Sequence, residues 1–161
     1  WSRAVARGQE GITDARQLQL RFWNAFKSYV EDHGSQIRTG KPGPQNWMNI
    51  SLGKTGYQLL AVASMWDQES HSYSKNEIRA ELYVSSEESK SKFVVIESQR
   101  EVIEKELGYE LTWLNPEEMK SARAFTRKTV DLNDEADWMN QHAWLLENLV
   151  KLQKVFKPFT R

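Results

Sequence analysis

Residues 76–88 read Asn76-Glu77-Ile78-Arg79-Ala80-Glu81-Leu82-Tyr83-Val84-Ser85-Ser86-Glu87-Glu88. Ile78, Ala80, Leu82 and Val84 alternate with Glu77, Arg79, Glu81 and Tyr83. That period of two describes a half-buried strand with one apolar face and one mostly charged face. Ser85 or Ser86 then offers a helix cap, and Glu87 and Glu88 suit the free N–H groups of a first turn. Phe93, Ile96, Arg100, Ile103 and Leu107 follow at helical spacing until Gly108, which can take the left-handed stop. The period switches from strand to helix within a dozen residues, so the chain mixes both kinds of element.

Toward the N-terminus the same reasoning gives two more strands. Met48, Ile50 and Leu52 alternate with Trp47, Asn49 and Ser51; Gly53-Lys54-Thr55-Gly56 makes a turn; Tyr57 to Met65 is apolar on both faces, as an interior strand is. The run from Asp67 to Asn76 is a polar loop. Residues 35–44 hold Pro42, Pro44, Gly40 and Gly43 around Arg38 and Lys41, which reads as another loop. Before it, Thr13-Asp14 is a plausible cap for a helix carrying Leu18, Phe22, Ala25, Phe26, Tyr29 and Val30, closed by His33-Gly34. Residues 1–12 are polar and read as a linker or frayed N-terminal segment. Toward the C-terminus, Tyr109–Leu114 and Ala122–Val130 read as strands joined around Asn115-Pro116. A last helix starting near Asp131–Asp134 has the seam Trp138, His142, Leu145, Leu149, Leu152 and Phe156, and Pro158 ends it.

The order is α-β-β-β-α-β-β-α. Its short hairpin-like connections point to a mainly antiparallel five-stranded sheet with helices packed on it, one α+β domain over residues 13–161. A length of 161 residues suits one domain that buries most of its apolar surface. The complete absence of cysteine excludes disulfides, thiolate metal sites and cysteine nucleophiles. No apolar run approaches the roughly 20 residues of a membrane span and no signal peptide opens the chain, so a cytoplasmic location without membrane partners is expected. The zero net charge conceals an asymmetry. Trp1–Gly56 carries eight Lys/Arg against four Asp/Glu, Tyr57–Glu118 six against thirteen, and Met119–Arg161 eight against five. Basic ends therefore flank an acidic middle.

Each candidate chemistry has an ordinary structural counterpart. Gly53-Lys54-Thr55 copies the end of a phosphate-binding loop, but Met48 stands where that loop needs glycine and a strand follows the lysine. Asp131, Asn133, Glu135 and Asp137 are as dense as a calcium loop, yet Ala136 replaces its glycine and His142 its last carboxylate. These acids suit a helix N-terminus better. His33, His71 and His142 form no triad with a nucleophile, and a lone seam histidine such as His142 is more commonly a hydrogen-bonded core residue. Asp67, Glu77 and Glu81 have the spacing of carboxylates that would hold Mg or Mn in a nuclease, but the lysine slot of that pattern holds Tyr83. No metal or other cofactor is otherwise expected. Arg38, Lys41, Lys54, Arg123, Arg127 and Lys128 could line one surface and contact DNA or RNA phosphates, with Trp47 and Trp66 near strand ends available to stack on bases.

Several segments are familiar as a set: Phe22-Trp23-Asn24-Ala25-Phe26, Pro44-Gln45-Asn46-Trp47, Ile50-Ser51-Leu52-Gly53, Glu81-Leu82-Tyr83, Trp144-Leu145-Leu146-Glu147-Asn148-Leu149 and Val155-Phe156-Lys157-Pro158. Together they resemble a prokaryotic domain of unknown function, number 4268 in that series, from about Leu18 to Pro158. Between Trp66 and Asn76 the chain is longer than the family pattern. The resemblance carries over no catalytic residue. It implies a domain that commonly lies C-terminal to a nuclease-like domain of the restriction-endonuclease superfamily. The start at Trp1 rather than methionine fits a piece of such a longer protein. The expectation is therefore a non-catalytic accessory module that binds nucleic acid or holds an upstream nuclease-like partner, with a homodimer through the last helix as a further option. The alternative is a divergent metal-dependent nuclease using Asp67, Glu77 and Glu81.

Overall fold

A computed structural model describes residues 3–34, 37–52, 56–65 and 76–160, with side chains from residue 14 onward. The elements are α1 (Arg3–Asp32), β1 (Trp47–Ile50), β2 (Gln58–Ser64), β3 (Glu77–Val84), α2 (Glu87–Glu97), α3 (Arg100–Leu107), β4 (Thr112–Leu114), β5 (Ala122–Thr129) and α4 (Trp138–Phe156). The expected α+β order is present, with the helix between β3 and β4 divided in two. The five strands form one sheet in the order β1-β2-β3-β5-β4, antiparallel at every junction. Since β3 and β4 both run antiparallel to β5, the α2–α3 segment carries the chain across one strand position, and β5 folds back into the gap.

Register follows from side-chain alternation. Met48 faces Ala61, Ala61 faces Ala80, Leu59 faces Leu82 and Leu82 faces Ala124. These residues form one apolar face, and a one-residue slip in any strand would turn its apolar set outward. The helices cover this face. Phe22, Trp23 and Phe26 of α1, Phe93 and Ile96 of α2, Ile103 of α3, and Leu145, Leu149, Leu152 and Phe156 of α4 are buried in the same core. An edge-to-face contact joins α1 to α4, the Phe22 ring lying 5.2 Å from that of Trp138, and a second, within α1, sets Phe22 5.0 Å from Trp23. Such pairs add about 0.5–1.5 kcal/mol to the burial of their area. The α4 seam packs on its own sheet.

Two helix boundaries differ from expectation. The first helix does not start at Thr13-Asp14; helical backbone runs from Arg3, through the segment read as linker or frayed helix. Its long amphipathic face from Leu18 to Val30 anchors the helix, and a cap residue can sit inside a helix that tertiary packing holds. The second helix breaks at Ser98-Gln99. There the Ser98 hydroxyl donates to the Val95 carbonyl, and the Gln99 N–H bonds Ile96 in a tighter turn. A continuous helix would carry Arg100 on the same seam as Phe93 and Ile96. The break re-aims α3 so that Ile103 and Leu107 are buried while Arg100 is exposed.

Candidate nucleic-acid interface

The other face of the sheet is not the solvated charged surface that alternation alone suggests. Across it, Trp47 pairs with Val62, Val62 with Arg79 and Arg79 with Arg127; Gln58 pairs with Tyr83 and Tyr83 with Arg123. Between these rows lie Leu60, Glu81 and Phe125, mutually opposed. Val62 and Phe125 are buried here, outside the helix-covered core, and Glu81 is 1% exposed. A pocket of about 290 Å³ opens on this face. Leu60 and Val62 give it an apolar floor, Arg79, Glu81 and Arg123 a charged centre, and Trp47 and Tyr83 aromatic sides.

Local structure sets the rim. The Trp23 indole N–H donates to the Gln45 carbonyl at 2.7 Å, and the Ala63 N–H to the Asn46 carbonyl at 2.8 Å. These bonds hold the entry to β1, leaving Trp47 43% exposed, unlike the buried Trp23. Outside β1 the chain runs alongside once more: Thr39 bridges Ile50, and the Gly40 N–H bonds the Asn49 carbonyl at 2.8 Å. A Cβ on Gly40 would stand 3.0 Å from that carbonyl oxygen, so glycine permits the close approach.

Electrostatics centre on Glu81. Arg79 Nε lies 2.9 Å from its Oε1 and Arg123 Nη1 3.9 Å away, while Arg79 Nη1 reaches Glu77 Oε2 at 3.5 Å. Burial pushes the Glu81 carboxyl above the ordinary carboxylate range, against the pull of Arg79 and Arg123. The Arg79 guanidinium also lies over Phe125 at 5.3 Å, and that of Arg123 over Tyr83 at 5.6 Å. Arg79 Nε and Glu81 Oε1 are both buried and form the ion pair at the centre of this face.

The basic residues marked from sequence are divided by the fold. Arg123 and Arg127 share the pocket face. Lys128 alternates to the other side, opposite Ile78, and lines a shallow groove with Asn140, Gln141 and Trp144 of α4. Arg38 and Lys41 are exposed along the β1 edge. Lys54 lies outside the described residues, as do Asp67, Trp66 and His71. Of the three carboxylates, Glu77 and Glu81 share one face of β3, but Arg79 stands between and pairs with both. Among the described residues no cluster of three metal-ligating side chains occurs. Sequence reasoning gave Arg79 no role, although its place two residues from Glu81 put it on the same strand face. Arg123 is a sequence candidate for phosphate contact, but its approach to Glu81 has no sequence signal, because the β3–β5 pairing joins segments distant in the chain.

Fold and site define the class: an α+β domain whose antiparallel sheet is helix-covered on one side and carries an arginine–glutamate–aromatic pocket on the other. The chain belongs to the family described as domain of unknown function DUF4268, which matches residues 18–160. Comparisons with curated proteins and with solved structures gave no match. Among the described residues no helix is long and apolar enough to cross a membrane.

Proposed function

We propose that the chain is a non-catalytic nucleic-acid-binding module that holds a single strand across the pocket face of its sheet. The observation that carries this reading is the meeting of Trp47 and Tyr83 with Arg79, Arg123 and Arg127 on one sheet face. Aromatic side chains give stacking surface to unpaired bases, at about 1–3 kcal/mol per base, and guanidinium groups serve the phosphates. Base pairs would hide the ring faces that the aromatic residues need, so single strands are favoured over duplex. In a larger protein such a module would present a strand to an upstream nuclease-like domain.

Fluorescence anisotropy with single- and double-stranded DNA and RNA oligonucleotides over a salt series tests the reading. Binding that favours single strands and weakens as salt rises is expected. No binding to any of them at low salt would overturn it and leave a protein-interaction module. The rival Mg- or Mn-dependent nuclease using Asp67, Glu77 and Glu81 is disfavoured by Arg79, a cation already paired with both glutamates. Metal-dependent cleavage abolished by Glu81→Ala would reverse that preference.

A further inference from the structure

The arginines on the pocket face do not stand in the same relation to its glutamates. Arg79 is held on two sides, with Nε 2.9 Å from Glu81 Oε1 and Nη1 3.5 Å from Glu77 Oε2, and its side chain is only 20% exposed. Arg123 is tied more loosely. Its Nη1 lies 3.9 Å from the same Glu81 oxygen, a distance for charge attraction rather than a hydrogen bond, and its side chain is 31% exposed. The guanidinium also rests over the Tyr83 ring at 5.6 Å. Arg127 lies opposite Arg79 in the β3–β5 register and is exposed.

Glu81 itself is out of a ligand's reach, with its side chain 1% exposed. Leu60 and Phe125 face it from the neighbouring strands, and its charged neighbours are Arg79, Arg123 and Glu77. One carboxylate thus stands between two guanidinium groups that would otherwise repel each other. Burial strengthens its hold on them, because little water screens the attraction. Arg79 is fully engaged by the two glutamates. Arg123 meets Glu81 through one nitrogen and retains further N–H donors on its exposed side.

We infer that Glu81 is a positioning residue for the bound strand: beside the Arg79 pair it holds the Arg123 guanidinium over Tyr83, facing a phosphate of that strand. The inference rests on the single-strand reading and gives one residue in it a role that runs against its charge. A carboxylate on a face that binds an anion repels that anion, so simple electrostatics makes Glu81 unfavourable there. Preorganisation reverses the sign, since Arg123 then meets the phosphate without first losing its rotamer freedom. The two accounts predict opposite effects of the same substitution.

Glu81→Gln keeps the shape of the side chain and removes the charge. Anisotropy titration of an oligo-dT strand over a salt series reads both affinity and slope. The expected result is about tenfold weaker binding, the scale of one charge-assisted hydrogen bond, with a slope flatter by about 0.7 for one lost phosphate contact. Equal or tighter binding overturns the inference. Weaker binding at an unaltered slope overturns it too, because that is a loss of folded protein rather than of a contact. Arg123→Ala completes the cycle: in its background Glu81→Gln should weaken binding no further. A full second loss there means that Glu81 does not act through Arg123. Should Glu81→Gln fail to fold, Arg123→Lys in the otherwise unaltered chain decides. It keeps the cation but not the planar group over Tyr83, so about threefold weaker binding is expected. Unchanged affinity overturns the inference. An unaltered chain that binds no strand overturns the single-strand reading and this inference with it, whereas every other outcome leaves strand binding intact.

Discussion

His142 sits on the α4 seam among Phe22, Phe26 and Trp138, with its ring 4.6 Å from that of Phe22. It bonds the Phe22 backbone, and its Nε2 is buried without a partner. Burial therefore lowers its pKa to about 4, against the weaker opposing effect of that bond. A histidine whose folded pKa lies below its unfolded value resists protonation only in the folded state. Its neutral form costs nothing above about pH 6.5, and stability falls as pH drops from there toward 4, because the unfolded chain takes up the proton first. The full loss is about 3 kcal/mol from this group alone. Urea unfolding at pH 7.5 and pH 4.5 should show His142→Leu losing about 2.5 kcal/mol less than the unaltered chain over that interval. An identical pH dependence in both would show that His142 is not the titrating group. The seam spacing marked this residue as core from sequence; Phe22 and Phe26, which help bury it, come from α1, more than a hundred residues away in the chain.

At the scale of elements, the legible features were those fixed by neighbours in sequence. Alternation gave the strands, and Ser86 caps α2 as read: its hydroxyl accepts from the Ser89 N–H at 3.1 Å. Gly108 ends α3 with φ of +86° and its N–H on the Glu104 carbonyl. The break at Ser98 was not legible, because Arg100 fits the helical period and only packing reveals that it faces out. Two glycines with positive φ now make a paired prediction. At Gly108 a Cβ would meet nothing within 4 Å, so Gly108→Ala pays for backbone strain alone, about 1–2 kcal/mol. At Gly56, with φ of +89°, the Cβ would also stand 2.8 Å from the Oγ of the buried Ser89. Ser89 belongs to the capped first turn of α2, so that clash disturbs the helix start as well. Thermal melts should therefore place Gly56→Ala clearly below Gly108→Ala. Equal melting temperatures would mean that Ser89 yields without cost.

For the whole molecule, charge along the chain is a poor guide to charge in space. The acidic middle segment supplies β3, yet folding lays the basic β5 from the C-terminal third against it, and the pocket face gains Arg123 and Arg127. The single-step alternation of β5 separates Arg127 from Lys128 onto opposite faces. That division was unreadable until β5 was known to pair with β3 in this register. It also distinguishes a binding face from a general attraction to basic residues. Each phosphate neutralised on a single strand contributes about 0.7 to the slope of log affinity against log salt. Arg127→Ala, which removes an exposed cation from the pocket face, should weaken oligonucleotide binding and flatten that slope by about 0.7. Lys128→Ala removes the same charge from the opposite face of the sheet and should change neither. Both substitutions alter net charge equally, so a non-specific electrostatic attraction predicts equal losses. Equal losses in the salt titration would therefore remove the pocket face as the place where the strand lies.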